Sequence, residues 1–514
     1  MTERTAHDDR KDDVASGLVV RIPRDAETPM PERIIATVTA MAASEALRPG
    51  QRLPAVRDLA ALLSVSPSTV STAYHALARS GVVATRGRSG TVILPQTPVS
   101  TTLPPDPEKG PSAAKGTGPV IDLSRGTPDP ALLPDIRPFL VRLGRRKAFV
   151  NSYNGPTILP LLESVLRRTW PYDPEAMTMV SGAGDGLSLC IDAFVRPGDI
   201  VITETPTYPP LLELIRRAGA IALGIAVDSS GMLPSRLEAA LTRLSAHTGM
   251  LSHHPVRLIV LQPRAQNPTG ASMDENRARA LAGVIGAAND VPGTKGAGIV
   301  VIEDDHSGDI SSSFPVSLGE FLPDDVIHIR SFSKSYGPDL RLAALSGPRR
   351  LVDAVIDRRR PGAGWVSRFL QEILHDMLSD DRIYATITTA RRIYARRRRT
   401  MCRLLDDREI RIPPGDGFNI WVPIHDPTTV RRLGEREIRV ADGLLFLPDV
   451  EGPAENDTDE PLRLGTVGDR RGFRLTVTEE AVVNGHVADA VADALVNGQE
   501  DGSADGPTDR QPTN

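Results

Sequence analysis

Hydrophobic residues recur along this chain with two different spacings, on either side of a proline-rich polar stretch. Before that stretch, apolar residues at helical spacing predict helices over residues 31–44, 55–63 and 67–79. Two short β-prone runs, 82–85 and 91–94, come after the third helix and predict a hairpin. The N-terminal part is therefore predicted to form helix, tight turn, helix and hairpin.

Beyond the polar stretch, apolar runs rich in β-branched residues alternate with amphipathic helical segments. The runs are 177–180, 200–204, 258–261, 299–302 and 326–329. Strands that alternate with helices predict a mainly parallel sheet. Two later runs, 418–422 and 473–478, predict strands of a smaller C-terminal domain.

The length and composition predict a soluble protein of two or more domains. The 514 residues are too many for one core, and 40% hydrophobic with 24% charged residues is ordinary for globular proteins. Polar segments without apolar periodicity predict a disordered N-terminus, a linker and a disordered tail. The predicted boundaries are 1–24 for the N-terminus, 25–94 for the first domain, 95–118 for the linker, 119–497 for the second domain and 498–514 for the tail.

Several classes of protein are excluded by simple features. No apolar run approaches the ~20 residues that span a membrane, and residues 1–10 do not resemble a signal peptide. The two cysteines, Cys190 and Cys402, cannot build a zinc site or a disulfide framework. We therefore expect a cytoplasmic protein with neither a metal site nor a membrane partner.

Charge is distributed unevenly along the chain. Residues 46–92 carry six arginines and one acidic residue, a net charge of +5, whereas the whole chain carries −5. A basic module on an acidic protein is typical of nucleic-acid binding, although a solvated helix face is the alternative. Ser66 is a good N-cap for the third helix, with Pro67 at its first position.

The sequence LRPGQRLPAVRDLA at residues 47–60 resembles the signature L-x-P-G-x-x-L-P-S-x-R-x-L-A of GntR-family winged-helix regulators, with Ala55 in place of serine. The resemblance implies a double-stranded DNA operator as partner. Pro67 stands where many relatives have an arginine, so one base-reading side chain is missing. The implied DNA-binding residues are Arg57, Ser68, Thr69 and Ser71 at the major groove, and Arg86 and Arg88 at the backbone or minor groove.

Each of the five apolar runs of the second domain ends in a polar or Gly/Pro cluster. The clusters are 181–184, 206–209, 267–270, 304–306 and 331–334. Because ligands bind at the carboxyl ends of strands in open α/β sheets, the five clusters predict one site.

Ser331, Ser333, Lys334 and Arg341 leave the last of these runs together. A lysine with a depressed pKa can form a Schiff base with an aldehyde, and hydroxyls and an arginine can bind a phosphate. Pyridoxal 5′-phosphate carries both groups. The alternative for this motif alone is an exposed lysine and arginine on a turn.

The other clusters add groups that suit the same cofactor. Residues 181–184 open a helix predicted from 186, so their backbone N–H groups can hold a phosphate. Tyr208 can stack on a flat ring, and Asn267 can donate to a phenolate oxygen. Asp304 can pair with a protonated pyridine nitrogen. Considered alone, Asn267 could simply belong to a turn, and Tyr208 could be an aromatic residue of the core.

The order and spacing of the clusters resemble the fold-type I aminotransferases, whose S-x-x-K pattern with a later arginine matches Ser331, Lys334 and Arg341. This resemblance implies pyridoxal phosphate as cofactor, Lys334 as the catalytic Schiff-base lysine, and a homodimer in which Tyr153 reaches the partner's phosphate. The implied cofactor-binding residues are Tyr153, Ser181, Gly182, Ala183, Tyr208, Asn267, Asp304, His306, Ser331, Ser333, Lys334 and Arg341.

The chain departs from the aminotransferase pattern at two places. His306 stands where most relatives have a tyrosine that binds the cofactor's phenolate oxygen, and Gly184 with Asp185 stands where many have two glutamines. Whether Asp304 or Asp305 meets the pyridine nitrogen is open, and we choose Asp304. Arg474 matches the arginine that holds a substrate carboxylate, with a surface strand arginine as an almost equal alternative.

Together the two halves resemble the MocR subfamily of GntR-family regulators, and its PtsJ-like branch in particular. The implied fold is an N-terminal winged helix-turn-helix followed by an α/β fold-type I aminotransferase-like domain with a small C-terminal α+β subdomain. The implied function is a DNA-binding transcriptional regulator that senses pyridoxal phosphate or an amino compound, with vitamin B6 or amino-acid metabolism as its target. A working aminotransferase with a secondary DNA-binding domain is the alternative, and a cofactor-free scaffold is a third hypothesis. The arginines Arg391, Arg392 and Arg396–Arg399 are predicted to form a solvated helix face, with a second DNA contact as the alternative.

Overall fold

The computed structural model describes most of both predicted domains. The described residues are 22, 29–43, 47, 51–79, 82–85, 91–93, 120–146, 152–245, 251, 254–290, 298–424, 426, 428–452, 472–480 and 483–500. The chain divides into two compact units, the first made mainly of residues up to Pro104 and the second mainly of those after it. The predicted linker and nearly all of the predicted N-terminal disorder lie outside the described residues.

The first unit contains three helices and a hairpin, as predicted. The elements are α1 (Met30–Ala43), α2 (Val56–Leu63), α3 (Pro67–Arg79), β1 (Val83–Thr85) and β2 (Thr91–Ile93). The two strands pair antiparallel. The backbone N–H of Leu53 donates to the carbonyl of Thr91 at 2.9 Å, which attaches the hairpin to the segment that enters α2.

The core of the first unit is formed where the three helices meet. Val70, Tyr74 and Leu77 of α3 are buried, as their spacing predicts. Leu62 of α2 belongs to the apolar residues at helical spacing but is 52% exposed. The buried stripe of α2 runs through Leu59 and Ala60, so Leu62 falls beside it.

A nine-stranded sheet forms the centre of the second unit. Its strands are β4 (Ala176–Val180), β5 (Ile200–Thr205), β6 (Ile221–Asp228), β7 (Gly231–Met232), β8 (Val256–Leu261), β9 (Val300–Asp305), β10 (Val326–Ser331), β11 (Ala343–Gly347) and β15 (Val450–Glu451). The order is β15-β6-β5-β8-β9-β10-β11-β4, with β7 paired to β6. All five predicted strands are present, and the prediction of a mainly parallel sheet is confirmed.

The directions of the strands place the five polar clusters at one edge of the sheet, and β11 is the strand that differs in direction. It runs antiparallel to both of its neighbours, β10 and β4. Since β9 and β10 are parallel, β4 points in the same direction as the rest of the parallel strands. The carboxyl ends of β4, β5, β8, β9 and β10 therefore share one edge of the sheet.

Helices cover the sheet and continue into a smaller C-terminal part. They are α4 (Arg137–Gly144), α5 (Pro160–Arg167), α6 (Ala183–Phe194), α7 (Pro209–Arg217), α8 (Pro234–Ser245), α9 (Glu275–Asn289), α10 (Ser333–Tyr336), α11 (Arg349–Arg359), α12 (Arg368–Leu378), α13 (Asp381–Asp406), α14 (Thr429–Glu435) and α15 (Gly485–Glu500). The small sheet contains β12 (Asn419–Pro423), β16 (Gly472–Thr476) and β14 (Ala441–Asp442), while β13 (Ile438–Arg439) pairs with β3 (Ile121–Asp122). The helix α15 includes residues 498–500, which were predicted to belong to the disordered tail, and the rest of that tail lies outside the described residues. No described helix is long and apolar enough to cross a membrane.

The arginine run on α13 is only partly a solvated face. Arg392 and Arg399 are exposed, but Arg397 and Arg398 are buried. The Nη1 of Arg397 donates to Asp129 at 2.9 Å, and Arg398 donates to the carbonyl of Asn419. The prediction is wrong for these two residues, because α13 packs against the small sheet and its inward guanidinium groups find buried acceptors.

Candidate functional site

Lys334 lies at the shared strand-end edge, in the short helix α10 that begins two residues after β10. Its Nζ donates to the carbonyl of Gly126 and lies 5.2 Å from the centre of the Phe418 ring. Lys334 is the only lysine within the described residues. The amine is thus held inside the site by contacts from two distant segments, which rules out an exposed lysine on a turn.

Asp304 and Asp305 are adjacent in β9 but face opposite sides of the sheet, since successive strand side chains alternate. Asp305 forms a 2.5 Å ion pair with Arg264. Burial disfavours its ionisation, but Arg264 and then His328 outweigh burial and lower the pKa of Asp305 to about 2. Asp305 is therefore already paired within the protein.

Asp304 is buried with one carboxylate oxygen satisfied and one not. Oδ2 accepts a hydrogen bond from Nε2 of Gln262 at 2.7 Å, whereas Oδ1 has no hydrogen-bond partner among the described residues. Burial raises the pKa of Asp304 to about 6, although the Gln262 bond opposes the shift. A buried carboxylate oxygen without a partner is costly, so this geometry fits a cationic N–H group from a ligand.

Gln262 connects three parts of the site, and the sequence analysis missed it. Its backbone N–H donates to Glu204 at 3.1 Å, and its side-chain oxygen accepts the backbone N–H of Asn267 at 2.7 Å. Because the oxygen is occupied in this way, the amide nitrogen is directed to Asp304. A local signal for Gln262 was present in the sequence. It is a polar residue directly after the apolar run 258–261, which is where the other polar clusters of the site begin relative to their strands.

Glu204 gives the site a testable dependence on pH. Burial raises the pKa of Glu204 to about 8 from an ordinary value of 4.5, so the wild-type fold loses stability as pH rises from 4.5 through 8. Glu204→Gln removes this titration. We expect the variant to match the wild type near pH 4.5 and to exceed its free energy of unfolding by ~1–3 kcal/mol at pH 8.

Urea denaturation of both proteins at the two pH values measures this difference. Glu163→Gln is a control, because Glu163 lies on α5 in an ion pair with Arg167 that is partly exposed. An equal difference between Glu204→Gln and wild type at both pH values would contradict the prediction.

Arg474, on β16, is buried at the site rather than on the surface of a strand. Its Nη1 donates to Oδ1 of Asn267 at 3.1 Å, and its Nη2 donates to the carbonyl of Ser124. The guanidinium also lies 5.4 Å from the ring centre of Phe446. The alternative of a surface arginine is therefore wrong, since only 4% of Arg474 is exposed.

His306 follows β9 and cannot act as the tyrosine of most relatives does. Its Nε2 lies 3.0 Å from the carbonyl of Ala265, and because a carbonyl only accepts, Nε2 carries the proton. Burial, and then the charge of Lys334, lower the pKa of His306 to about 4. At neutral pH its second ring nitrogen is thus an acceptor, not a donor to an oxygen anion.

The cluster after β4 opens α6, which begins at Ala183, three residues earlier than predicted. Gly182 is the N-cap with a φ of 88°, a left-handed value that favours glycine. The N–H of Ser181 donates to Asp185 at 2.8 Å, and that of Gly182 donates to the carbonyl of Val180 at 2.9 Å. The donors that this helix end offers to a ligand are consequently those of its first turn, from Ala183 onward.

Arg341 is brought to this helix end from the segment after α10. A Cβ built on Gly182 would lie 3.9 Å from the Cζ of Arg341. Ser331 ends β10, and Ser333 begins α10, with its N–H 3.4 Å from the hydroxyl of Ser331. The predicted phosphate-binding groups thus converge at one end of the site.

The two tyrosines occupy different surroundings. Tyr208 is half-buried directly before α7, at the end of β5. Tyr153 is 89% exposed, and its ring lies 5.7 Å from that of Trp365 in an edge-to-face arrangement. So large an exposed aromatic leaves Tyr153 accessible to a second subunit.

Three further site residues escaped the sequence analysis: Ser124, Gly126 and Phe418. The first two belong to a segment, 124–129, whose Gly-Thr-Pro turn was a usable local signal. Gly126 lies close to Arg474, since a Cβ there would be 3.1 Å from its Nη1. Ser124 and Gly126 link Arg474 and Lys334 through their carbonyl oxygens.

The first unit presents a helix-turn-helix face. Ser66 caps α3, because its hydroxyl accepts the N–H of Thr69 at 3.2 Å. The hydroxyls of Ser68 and Thr69 each lie 2.7 Å from that of Ser66. Ser68 is exposed, and Thr69 and Ser71 are half-buried at the start of the helix.

Arg57 is exposed at the second position of α2. It forms no ion pair or hydrogen bond within the part of the chain that is described. Arg86 and Arg88 lie outside the described residues. Arg57 and Ser68 are thus both exposed, one near the start of each of these two helices.

The fold and the strand-end site define the second unit as a fold-type I aminotransferase domain, joined to a winged helix-turn-helix. Residues 119–441 match the family of aminotransferases of class I and II, and residues 31–93 match the bacterial regulatory proteins of the gntR family. The kynurenine aminotransferase of Pyrococcus horikoshii has the same fold, with a TM-score of 0.61 and 23% identity over 74% of this chain and 92% of that one.

Regulators with both domains are similar over most of their length. The chain is 34% identical over 409 residues to the vitamin B6 salvage pathway transcriptional repressor PtsJ of Salmonella typhimurium. This match covers 78% of this chain and 87% of that protein. It is 27% identical to the pyridoxine biosynthesis transcriptional regulator PdxR of Corynebacterium glutamicum, over 72% of this chain and 78% of that protein. The chain belongs to the MocR-type transcriptional regulators of the GntR family.

Proposed function

We propose that this MocR-type regulator binds pyridoxal phosphate at the strand-end site, and that the bound cofactor changes its affinity for a DNA operator. The observation that carries the proposal is the buried Oδ1 of Asp304, which lacks a partner among the described residues. Members of the aminotransferase class I and II fold bind pyridoxal phosphate in general. Its pyridine nitrogen, when protonated, would supply the missing donor to Asp304.

The other residues of the site would hold the remaining parts of the cofactor. Lys334 would bind its aldehyde carbon covalently, and Arg341 with the first turn of α6 would bind its phosphate. Tyr208 would stack on the ring, and Tyr153 would reach the phosphate held by a second subunit in a homodimer. When bound, pyridoxal phosphate supplies an electron-withdrawing ring and a reactive aldehyde.

The genes under control would belong to vitamin B6 metabolism. The relatives PtsJ and PdxR carry vitamin B6 salvage and pyridoxine biosynthesis in their names. A regulator that binds the end product of these pathways would sense it directly. The ligand can shift DNA binding only if it binds more tightly to one of two states of the dimer that differ in operator affinity.

Operator affinity of the full-length protein, measured at fixed salt with and without pyridoxal phosphate, tests the proposal. The operator comes from the genomic fragments that the protein retains, and its dissociation constant is measured by fluorescence anisotropy. We expect the constant to change by about three- to tenfold when the cofactor binds, a size typical of allosteric coupling. Equal affinity with and without cofactor would remove the sensing role.

Arg57→Ala tests the DNA-binding face independently of the cofactor. A base or phosphate contact contributes ~1–3 kcal/mol, so we expect operator affinity to fall by about tenfold or more. The absorbance of the bound cofactor should not change. Arg279→Ala, at an exposed position of α9 in the second unit, is the control. Unchanged operator affinity in Arg57→Ala would contradict the assignment.

Arg474 favours a second candidate function, transamination. Its buried guanidinium lies near Asn267 and close to Gly126, which accepts from Lys334, so a substrate carboxylate could bind beside the lysine. Turnover with pairs of amino acids and keto acids tests this activity. Turnover that is lost in Arg474→Ala while operator binding persists would support the enzyme.

A further inference from the structure

Asp185 places a negative charge at the end of the site that is built for an anion. It is the third residue of α6, and its carboxylate accepts the backbone N–H of Ser181 at 2.8 Å. The carboxylate therefore turns back toward the start of its own helix, over the same turn whose N–H groups would bind the cofactor's phosphate. Helix starts favour negative charge, and here the chain provides one itself.

The surroundings fix Asp185 in this position. Arg359, buried on α11, donates to the carbonyl of Met179 at the end of β4, immediately before the turn into α6. Burial lowers the pKa of Arg359, and the negative charge of Asp185 opposes that shift. The hydrogen bond from Ser181 thus holds the carboxylate of Asp185 at the turn into α6, and the charge of Arg359 acts on it from α11.

We propose that Asp185 is a selectivity residue that weakens phosphate binding and narrows the preference of this site for pyridoxal phosphate over unphosphorylated pyridoxal. The inference rests on the proposed binding of pyridoxal phosphate at this site. A phosphate dianion bound at the start of α6 would meet the positive charge of Arg341 and the negative charge of Asp185, whose carboxylate accepts the N–H of Ser181 at that turn. Like charges a few ångströms apart repel, and a half-buried position strengthens the repulsion relative to water.

This arrangement has a consequence for a sensor. A site that held the phosphate with full strength would stay saturated and could not follow the concentration of the free cofactor. A carboxylate that offsets part of the attraction raises the dissociation constant toward the range in which the concentration changes. The hydroxymethyl group of pyridoxal carries no charge, so the carboxylate does not repel it.

The substitution Asp185→Asn removes the charge and keeps the shape. Asparagine retains an oxygen that accepts the N–H of Ser181, so the turn into α6 is preserved. Asp192→Asn is the matched control, because Asp192 is exposed on the same helix, seven residues or about 10 Å farther along its axis. Dissociation constants of pyridoxal phosphate and of pyridoxal are measured for the wild type and both variants, by equilibrium dialysis of the full-length protein.

We expect Asp185→Asn to tighten pyridoxal phosphate binding by roughly tenfold and to change pyridoxal binding by less than about twofold. The Asp192→Asn protein should match the wild type for both ligands. Unchanged phosphate-ligand affinity in Asp185→Asn, or an equal gain for both ligands, would overturn the inference while leaving the proposed function intact. If the wild type binds neither ligand and Asp185→Asn binds neither, the proposed function and the inference are both wrong.

Discussion

Lys334→Ala is expected to abolish covalent attachment of pyridoxal phosphate. Lys334 is held at the strand-end edge by Gly126 and Phe418. Borohydride reduces a carbon–nitrogen double bond between an amine and the cofactor's aldehyde, so the wild type should carry one reduced cofactor after treatment. Mass spectrometry of tryptic peptides should place it on Lys334, and the alanine variant should carry none.

The other lysines provide the control for this prediction. Lys295 lies outside the described residues, and Lys295→Ala should retain the adduct in full. Residual noncovalent binding to Lys334→Ala is expected, because Arg341 and the start of α6 would still be available to the phosphate. An adduct on Lys295, or an undiminished adduct in Lys334→Ala, would show that the site is assigned to the wrong lysine.

Asp304→Asn and Asp305→Asn are expected to have opposite effects on stability, although the residues are adjacent. The raised pKa of Asp304 means that the wild-type fold loses stability as pH rises from 3.8 through about 6. Asparagine does not ionise, so Asp304→Asn should raise the free energy of unfolding at pH 7 by ~1–3 kcal/mol. The same change at Asp305 leaves buried Arg264 without its partner and should cost ~3–5 kcal/mol.

Although Asp304→Asn should be more stable than the wild type, it should bind the cofactor more weakly. Asp304→Asn removes the charged acceptor for the pyridine nitrogen, a bond of ~1.5–3 kcal/mol, so affinity for pyridoxal phosphate should fall by about 10- to 100-fold. If the variant is more stable than the wild type, misfolding cannot explain its weaker binding of the cofactor. Urea denaturation without cofactor and equilibrium dialysis measure the two effects, and a destabilised Asp304→Asn protein that binds normally would reverse the assignment.

The sequence alone determined the order of the elements and the edge on which the site lies. Buried parallel strands are continuous apolar runs, and the residue after each run must leave the sheet at its carboxyl end. For this reason the run before Ser331 and the run before Asp304 were enough to place Lys334 and Asp304 at the same edge. The start of α3 at Pro67 could also be predicted from the sequence, because the N-cap Ser66 and the proline are local signals.

Other features depended on contacts between residues that are far apart along the chain. The sequence left Asp304 and Asp305 indistinguishable, and only the ion pair of Asp305 with Arg264, 41 residues away, identified Asp304 as the one with an open oxygen. Arg474 could equally have been a surface residue until its contact with Asn267, 207 residues away, showed it to be buried. Local patterns fix backbone conformation and the face on which a side chain lies, but the partner of a buried polar group is set by how distant segments pack.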